Sequence, residues 1–276
     1  MRETIPEKGL QARREKTDPG PVRDDFLQYL AHKSERRRIG VRHKLRYGFD
    51  SYERHFVAAN FISFMGYRRI IDVGGLPKRI AGLKSGREVD VVTANLSEPA
   101  DVVYEGGRLP LDDSSFDGAV CLDVLEHVPP DQRPGFINEI LRVSAGPALL
   151  SVPYRSDVHE DSERELQKLH EQAIGEPHAF LAEHIKHGLA NEKDLQAYLS
   201  SPGLGLCMRC SCFFTGNIDD AARPLRKSLH YKRQGRLSYL FHLPYLAWSR
   251  GRPLGRVECH VTPSEHTNRL YAIVSR

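Results

Sequence analysis

The sequence predicts an α/β fold: a mostly parallel sheet with helices on its faces. Three observations lead there. Short apolar runs recur at 69–73, 88–93, 118–122 and 148–152. Stretches with apolar residues at helical spacing lie before and between them. Glycines, acids and amides collect just past the ends of the runs, where open α/β sheets hold their ligands.

The chain has 276 residues, 40% hydrophobic and 28% charged. That is an ordinary globular composition, with room for one large domain. The net charge of +4 is too small to require a nucleic-acid partner by itself. The first residues are charged and no apolar signal core follows. The longest apolar stretch, 240–248, is broken by His242 and Pro244 and falls short of the ~20 residues that span a bilayer. Five cysteines, three of them at Cys207, Cys210 and Cys212, read as reduced thiols. A cytoplasmic location is the expectation.

Residues 1–23 carry Pro6, Pro19, Gly20 and Pro21 among charges and read as a disordered arm. The rest reads as one domain in four segments: N-terminal helices over 24–66, a core over 67–154, an insertion over 155–205, and C-terminal strands and helices over 206–276. Phe26, Leu27 and Leu30 mark a first helix, which ends in the basic run Glu35 to Arg38. Tyr52, Phe56, Val57, Asn60, Phe61 and Phe64 share one face of a second, expected to pack on the sheet.

Strands follow at 69–73, 88–93, 101–104, 118–122 and 148–152, with a helix at about 130–143 between the last two. Ser162 and Glu165 have capping-box spacing and predict a helix start. Asn191 with Asp194 predicts another. Two more strands, at 206–214 and 270–275, make seven. Between them, 219–248 reads as helices with a basic face formed by Arg223, Arg226, Lys227, Lys232, Arg233 and Arg236.

The strand ends carry the chemistry. Asp72, Gly74 and Gly75 follow the first strand, and Asn95 and Leu96 the second. Glu105, Gly106, Arg108 and Leu109 follow the third, and Asp123, Leu125, Glu126 and His127 the fourth. Glycines there allow close approach of backbone to ligand. His178, Glu183, His184 and His187 sit in the insertion at spacings that raise a metal. A lid or pocket wall accounts for them better, and no metal ligand is assigned.

Asp72-Val-Gly74-Gly75, Leu109-Pro-Leu-Asp112-x-x-Ser115-Phe116-Asp117 and Leu122-Asp123-x-Leu125-Glu126-His127-Val128 together resemble the motifs of class I S-adenosylmethionine-dependent methyltransferases of the small-molecule type. The resemblance implies a Rossmann-like sheet of seven strands with the last one antiparallel. It implies S-adenosylmethionine as cofactor. Asp72, Gly74 and Gly75 would then meet its methionine part, and Asn95 and Leu96 its ribose. Glu105, Gly106, Arg108 and Leu109 would border the adenine, and Asp123 and Leu125 would line the cavity. The family ends strand two with an acid; here Asn95 stands in that place. His127 and His184 are the candidate bases, since imidazole titrates near working pH. The acceptor expected is a hydroxyl or amine on a small molecule or glycan. Two readings compete: a degenerate methyltransferase fold that serves as a scaffold, and an RNA methyltransferase that uses the basic stretches. Nucleic acid is the less favoured acceptor.

Overall fold

The computed structural model describes residues 19–36, 49–77, 80, 88–201, 208–250 and 257–276. Most of the expected arm, the basic run 37–48 and most of the short segment after the glycine turn lie outside them.

Eight strands form one sheet among the described residues. They are β1 (Arg69–Val73), β2 (Asp90–Asn95), β3 (Val102–Val103), β4 (Gly118–Leu122), β5 (Ala148–Pro153), β6 (Arg209–Asn217), β7 (Cys259–His260) and β8 (Thr267–Ser275). The helices are α1 (Pro19–Arg36), α2 (Phe49–Met65), α3 (Arg133–Val143), α4 (Asp157–Ile174), α5 (Ala179–His187), α6 (Glu192–Leu199), α7 (Ile218–Arg233) and α8 (Arg236–Arg250). None of the described helices is long and apolar enough to cross a membrane.

The sheet order is β3-β2-β1-β4-β5-β8-β6-β7. β1 to β5 pair in parallel. β8 is antiparallel to both β5 and β6, as the resemblance implied. The seven expected strands are all present. The eighth, β7, is a two-residue edge on β6, too short to leave a periodic pattern in the sequence.

β1 is buried on both faces, which is why its sequence is an unbroken apolar run. Ile70 points into a cluster with Phe26, Phe56, Phe61 and Phe64 of α1 and α2. Ile71 and Val73 point the other way, into a cluster with Ile137 and Ile140 of α3 and Leu195 and Leu199 of α6. The aromatic face read in α2 is therefore core. Each such side chain contributes about 1.5–3 kcal/mol by leaving water. α1 starts at Pro19 and buries Val22, five residues before the boundary expected for the arm.

The insertion is largely helical, with α4, α5 and α6 in it, and it adds apolar packing of its own. Leu166 of α4, Leu181 of α5, and Ile218 and Ala222 of α7 form a third, smaller cluster. α4 begins earlier than the Ser162–Glu165 pattern suggested. Its N-cap is Ser156, whose hydroxyl accepts from the His159 amide. Ser162 and Glu165 lie inside the helix, and both accept from Arg226 of α7, at 3.2 and 2.9 Å. The capping box at Asn191 and Asp194 is present and opens α6.

The chain runs outward from β1 to β2 and β3, then returns to lay β4 on the other side of β1. This reversal opens a crevice at the carboxyl ends of β1 and β4. α4, α5 and α7 wall it from above.

Candidate active site

A cavity of about 1480 Å³ occupies that crevice. Its wall includes the turns after β1, β2, β3 and β4, part of α2, and the inner faces of α4, α5 and α7.

The turn after β1 is built so that only glycine fits. Gly74 has φ +81°, and a Cβ there would lie 2.3 Å from Val124 in the turn after β4. A Cβ on Gly75 would lie 2.0 Å from Asp72 Oδ2. Asp72 is buried, and its Oδ1 makes no hydrogen bond among the described residues. Burial pushes its carboxyl up to about 7, partly offset by the Arg54 guanidinium. Asn95 serves the turn as well: Nδ2 reaches the carbonyls of Gly74 and Gly75, at 3.4 Å each. Its Oδ1 accepts from the Leu96 amide at 2.8 Å. Both ends of the amide are thus engaged with backbone. Leu96, Glu105, Gly106 and Arg108 border the same side of the cavity.

Two sequence expectations need correction. Leu109 and Leu125 are not cavity residues; both side chains are 3% exposed or less and pack in the core with Ile71 and Phe116. Asp123 lines the cavity but is saturated by protein partners. Arg269 holds it with two bonds, Nε to Oδ1 at 3.0 Å and Nη2 to Oδ2 at 2.6 Å. Ser151 donates to Oδ1 at 2.8 Å, and Arg54 donates to Oδ2. Burial alone would raise its pKa, but the two guanidiniums hold it well below the usual carboxylate range. These bonds also fix its backbone at φ +55°, a left-handed conformation that Asp tolerates better than most residues.

The far side of the cavity carries a cluster of imidazoles and carboxylates. Leu125–His127 is a single 3₁₀ turn that follows β4. It brings Glu126 and His127 beside His184 of α5, with the two imidazole centroids 4.9 Å apart. Glu183 binds His127 Nδ1 at 2.7 Å, and Glu163 of α4 binds His184 Nδ1 at 2.7 Å. Burial and the neighbouring His184 lower the pKa of His127. Burial opposes charge on His184, but the bond and charge of Glu163, with Glu126, prevail and raise it. Burial pushes the Glu126 carboxyl up to about 8, and the Asp123 charge adds to that.

Arg133, at the start of α3 and 1% exposed, ties this side together. Its guanidinium donates to the carbonyls of Val128, His187 and Gly188 and to the Tyr198 hydroxyl. One side chain thus joins the end of the His127 turn to the end of the helix that bears His184. His178 and His187 stay outside the cluster. His178 caps α5, and His187 offers Arg133 its carbonyl.

Sequence reading missed Arg54, Arg133, Glu163 and Arg269. Two of them left a trace. Arg269 is the one cation in β8 and directly precedes its apolar run Leu270–Val274. His159 and Glu163 are polar at i, i+4 on the buried face of α4.

Residues 78–147 match the family described as "Methyltransferase domain". Over those residues, about a quarter of the chain, the protein is similar to a methyltransferase domain. The match takes in β2 to β4 and α3 of this chain and begins just past the glycine turn. A search of curated proteins finds no match. Among solved structures, similarity is found to a Thermotoga maritima protein described as an S-adenosylmethionine-dependent methyltransferase, possible histamine N-methyltransferase. Identity is 14%, the TM-score is 0.49, and 91% of this chain and 99% of that one are covered. An Archaeoglobus fulgidus S-adenosylmethionine-dependent methyltransferase is 12% identical, with TM-score 0.41 over 80% of this chain and 93% of that one. Haemonchus contortus phosphoethanolamine N-methyltransferase 2, solved with phosphomonomethylethanolamine and S-adenosylhomocysteine, is 11% identical. Its TM-score is 0.41, over 75% of this chain and 48% of that one. At these values the likenesses decide nothing about the acceptor.

Proposed function

We propose that this methyltransferase moves the methyl group of S-adenosylmethionine to a hydroxyl or amine of a small molecule or glycan. The observation that carries the reading is the single cavity with two unlike ends. One end is the Asp72–Gly75 turn, the other the His127–His184 pair, and about 1480 Å³ lies between and around them. That is room for a cofactor and an acceptor side by side.

The residues present fit the cofactor. Gly74 and Gly75 have no room for a side chain, since Val124 and Asp72 stand where it would go, and their bare backbone lines the cavity. Asp72 offers a buried, unpartnered carboxylate oxygen to an ammonium group. Asn95, held by the turn, and Leu96 would meet the ribose, and Glu105, Gly106 and Arg108, which also line the cavity, would border the adenine. Bound there, S-adenosylmethionine supplies a methyl group on a positively charged sulfur, already a strong electrophile.

The protein's task is then positioning. A hydroxyl acceptor would lodge between the turn and His127, with its O–H toward the imidazole pair. The imidazole takes the proton while the new O–C bond forms. The C–S bond breaks and its electron pair stays on sulfur. An amine acceptor would need only the placement. Incubation of purified full-length protein with methyl-labelled cofactor and a panel of hydroxylated, aminated and glycan acceptors tests the reading. Label in at least one low-molecular-weight or glycan product supports it; transfer to RNA alone would replace the acceptor class.

A further inference from the structure

We propose that Glu126, His127 and His184 form a binding site for one divalent transition-metal ion at the inner side of the cleft.

The three residues come from two elements joined through Arg133, with His127 and His184 57 residues apart in the chain. A donor atom of each lies within 4.8 Å of those of the other two. Both imidazoles are oriented the same way. Each has its Nδ1 taken by a glutamate at 2.7 Å, Glu183 for His127 and Glu163 for His184. That leaves Nε2 of each ring for another partner. A carboxylate on the far nitrogen is the usual outer support of a metal-bound histidine, because it sets the tautomer and makes the ring more basic.

Glu126 is the second, independent observation. Its side chain is 1% exposed, and neither carboxylate oxygen has a hydrogen-bond partner among the described residues. His184 Nε2 is 4.0 Å from Oε1, beyond hydrogen-bond reach. A buried carboxylate in that state is costly whether or not it carries a proton, because a protonated group would still lack an acceptor. A cation between Glu126 and the two Nε2 atoms removes the cost for all three.

Two imidazoles and one carboxylate suit manganese, iron, cobalt or zinc better than magnesium or calcium, which favour oxygen ligands. Ligand atoms about 2.1 Å from one ion stand roughly 3–3.5 Å apart, so loading would draw the trio inward by about 1 Å. Three protein ligands leave coordination positions open, and all three residues line the cavity. Resting on the proposed function, an acceptor oxygen or nitrogen would occupy an open position. His127 would then act as a ligand in place of a base.

Calorimetric titration of chelator-treated full-length protein with Mn²⁺, Co²⁺ and Zn²⁺, and with Mg²⁺ for comparison, tests the site. One equivalent should bind, and bound Co²⁺ should show the visible absorption of a nitrogen- and oxygen-ligated ion. Glu126→Gln and His184→Ala should weaken binding at least tenfold, and the outer-support variant Glu183→Gln by about 10–100-fold. Wild-type protein that binds none of these ions at millimolar concentration overturns the proposal. So does binding that Glu126→Gln leaves unchanged. S-adenosylhomocysteine titrated into the same samples separates the two claims. Cofactor binding without metal binding sinks only the metal site; metal binding without cofactor binding sinks only the proposed function.

Discussion

Gly75 and Asp72 are fitted to each other: a Cβ on Gly75 would stand 2.0 Å from an Asp72 carboxylate oxygen. The aspartate packs on the bare Cα of the glycine, and the turn closes over a buried acid. Gly75→Ala should therefore reduce S-adenosylhomocysteine affinity by at least tenfold. In an Asp72→Ala background the same change should cost much less, because the colliding group is gone. A double-mutant cycle read by calorimetry measures the coupling; additive effects would refute the steric account.

Asp72 should also make stability pH-dependent in an unusual direction. Burial pushes its carboxyl up to about 7 in the fold, from an ordinary value of 3.8. Between those values the folded chain holds a proton that the unfolded chain has lost. The group's contribution is complete below about pH 3.8 and is lost as pH rises through about 7, by up to roughly 4 kcal/mol. Urea unfolding of wild type and Asp72→Asn should show the variant gaining relative stability from pH 5 to pH 8. On the proposed function, a cationic ligand binds the ionised form. Affinity should then rise about tenfold from pH 6 to pH 8 in the wild type and stay flat in the variant.

Asp123 behaves in the opposite way. It is ionised and clasped by Arg269 and Arg54, with Arg269 only 3% exposed. Asp123→Ala would leave a buried guanidinium without its main partner, at about 3–5 kcal/mol. The native pair stabilises fully above the ordinary carboxylate pKa, and its contribution declines only gradually as pH falls from about 4 toward the far lower folded pKa. Chemical denaturation at pH 7 and pH 3 should show a large deficit for the variant at both, smaller at the second.

Parts of this arrangement were legible in the sequence, and the reasons differ. β1 and β4 could be bounded because strands buried on both faces read as unbroken apolar runs between turn residues. Asp72, Gly74 and Gly75 could be found because a backbone turn is a local matter. Asn95 could be located, but not the use of its amide, since its partners lie twenty residues back. Leu109 and Leu125 belong to the recognisable strings, yet the chain turns their side chains into the core. Ser162 and Glu165 have the spacing of a cap, and the same spacing also places two residues on one face of a helix interior, where Arg226 takes them. The Glu126–His127–His184 cluster depends on how α4 and α5 fold back over β4, which no local pattern encodes.

Arg133 should act as a positioning residue. Arg133→Met removes donors from three part-buried carbonyls and a hydroxyl, and about 3 kcal/mol or more of stability should go with them. Because the guanidinium joins the His127 turn to α5, turnover should fall while S-adenosylhomocysteine affinity changes less than threefold. A parallel loss of both would assign Arg133 to the fold alone.

His127→Ala should lower turnover of a hydroxyl acceptor by about 10²–10⁴-fold, whether the imidazole acts as base or as ligand. S-adenosylhomocysteine affinity should stay within threefold. An unchanged rate would remove His127 from the acceptor side.

The central claim is that the crevice at the ends of β1 and β4 holds S-adenosylmethionine. Calorimetric titration of folded full-length protein with S-adenosylhomocysteine tests it most directly. One equivalent should bind with a micromolar constant, weakened at least tenfold by Asp72→Ala. Absence of any binding heat at millimolar ligand, or binding indifferent to Asp72, would contradict it.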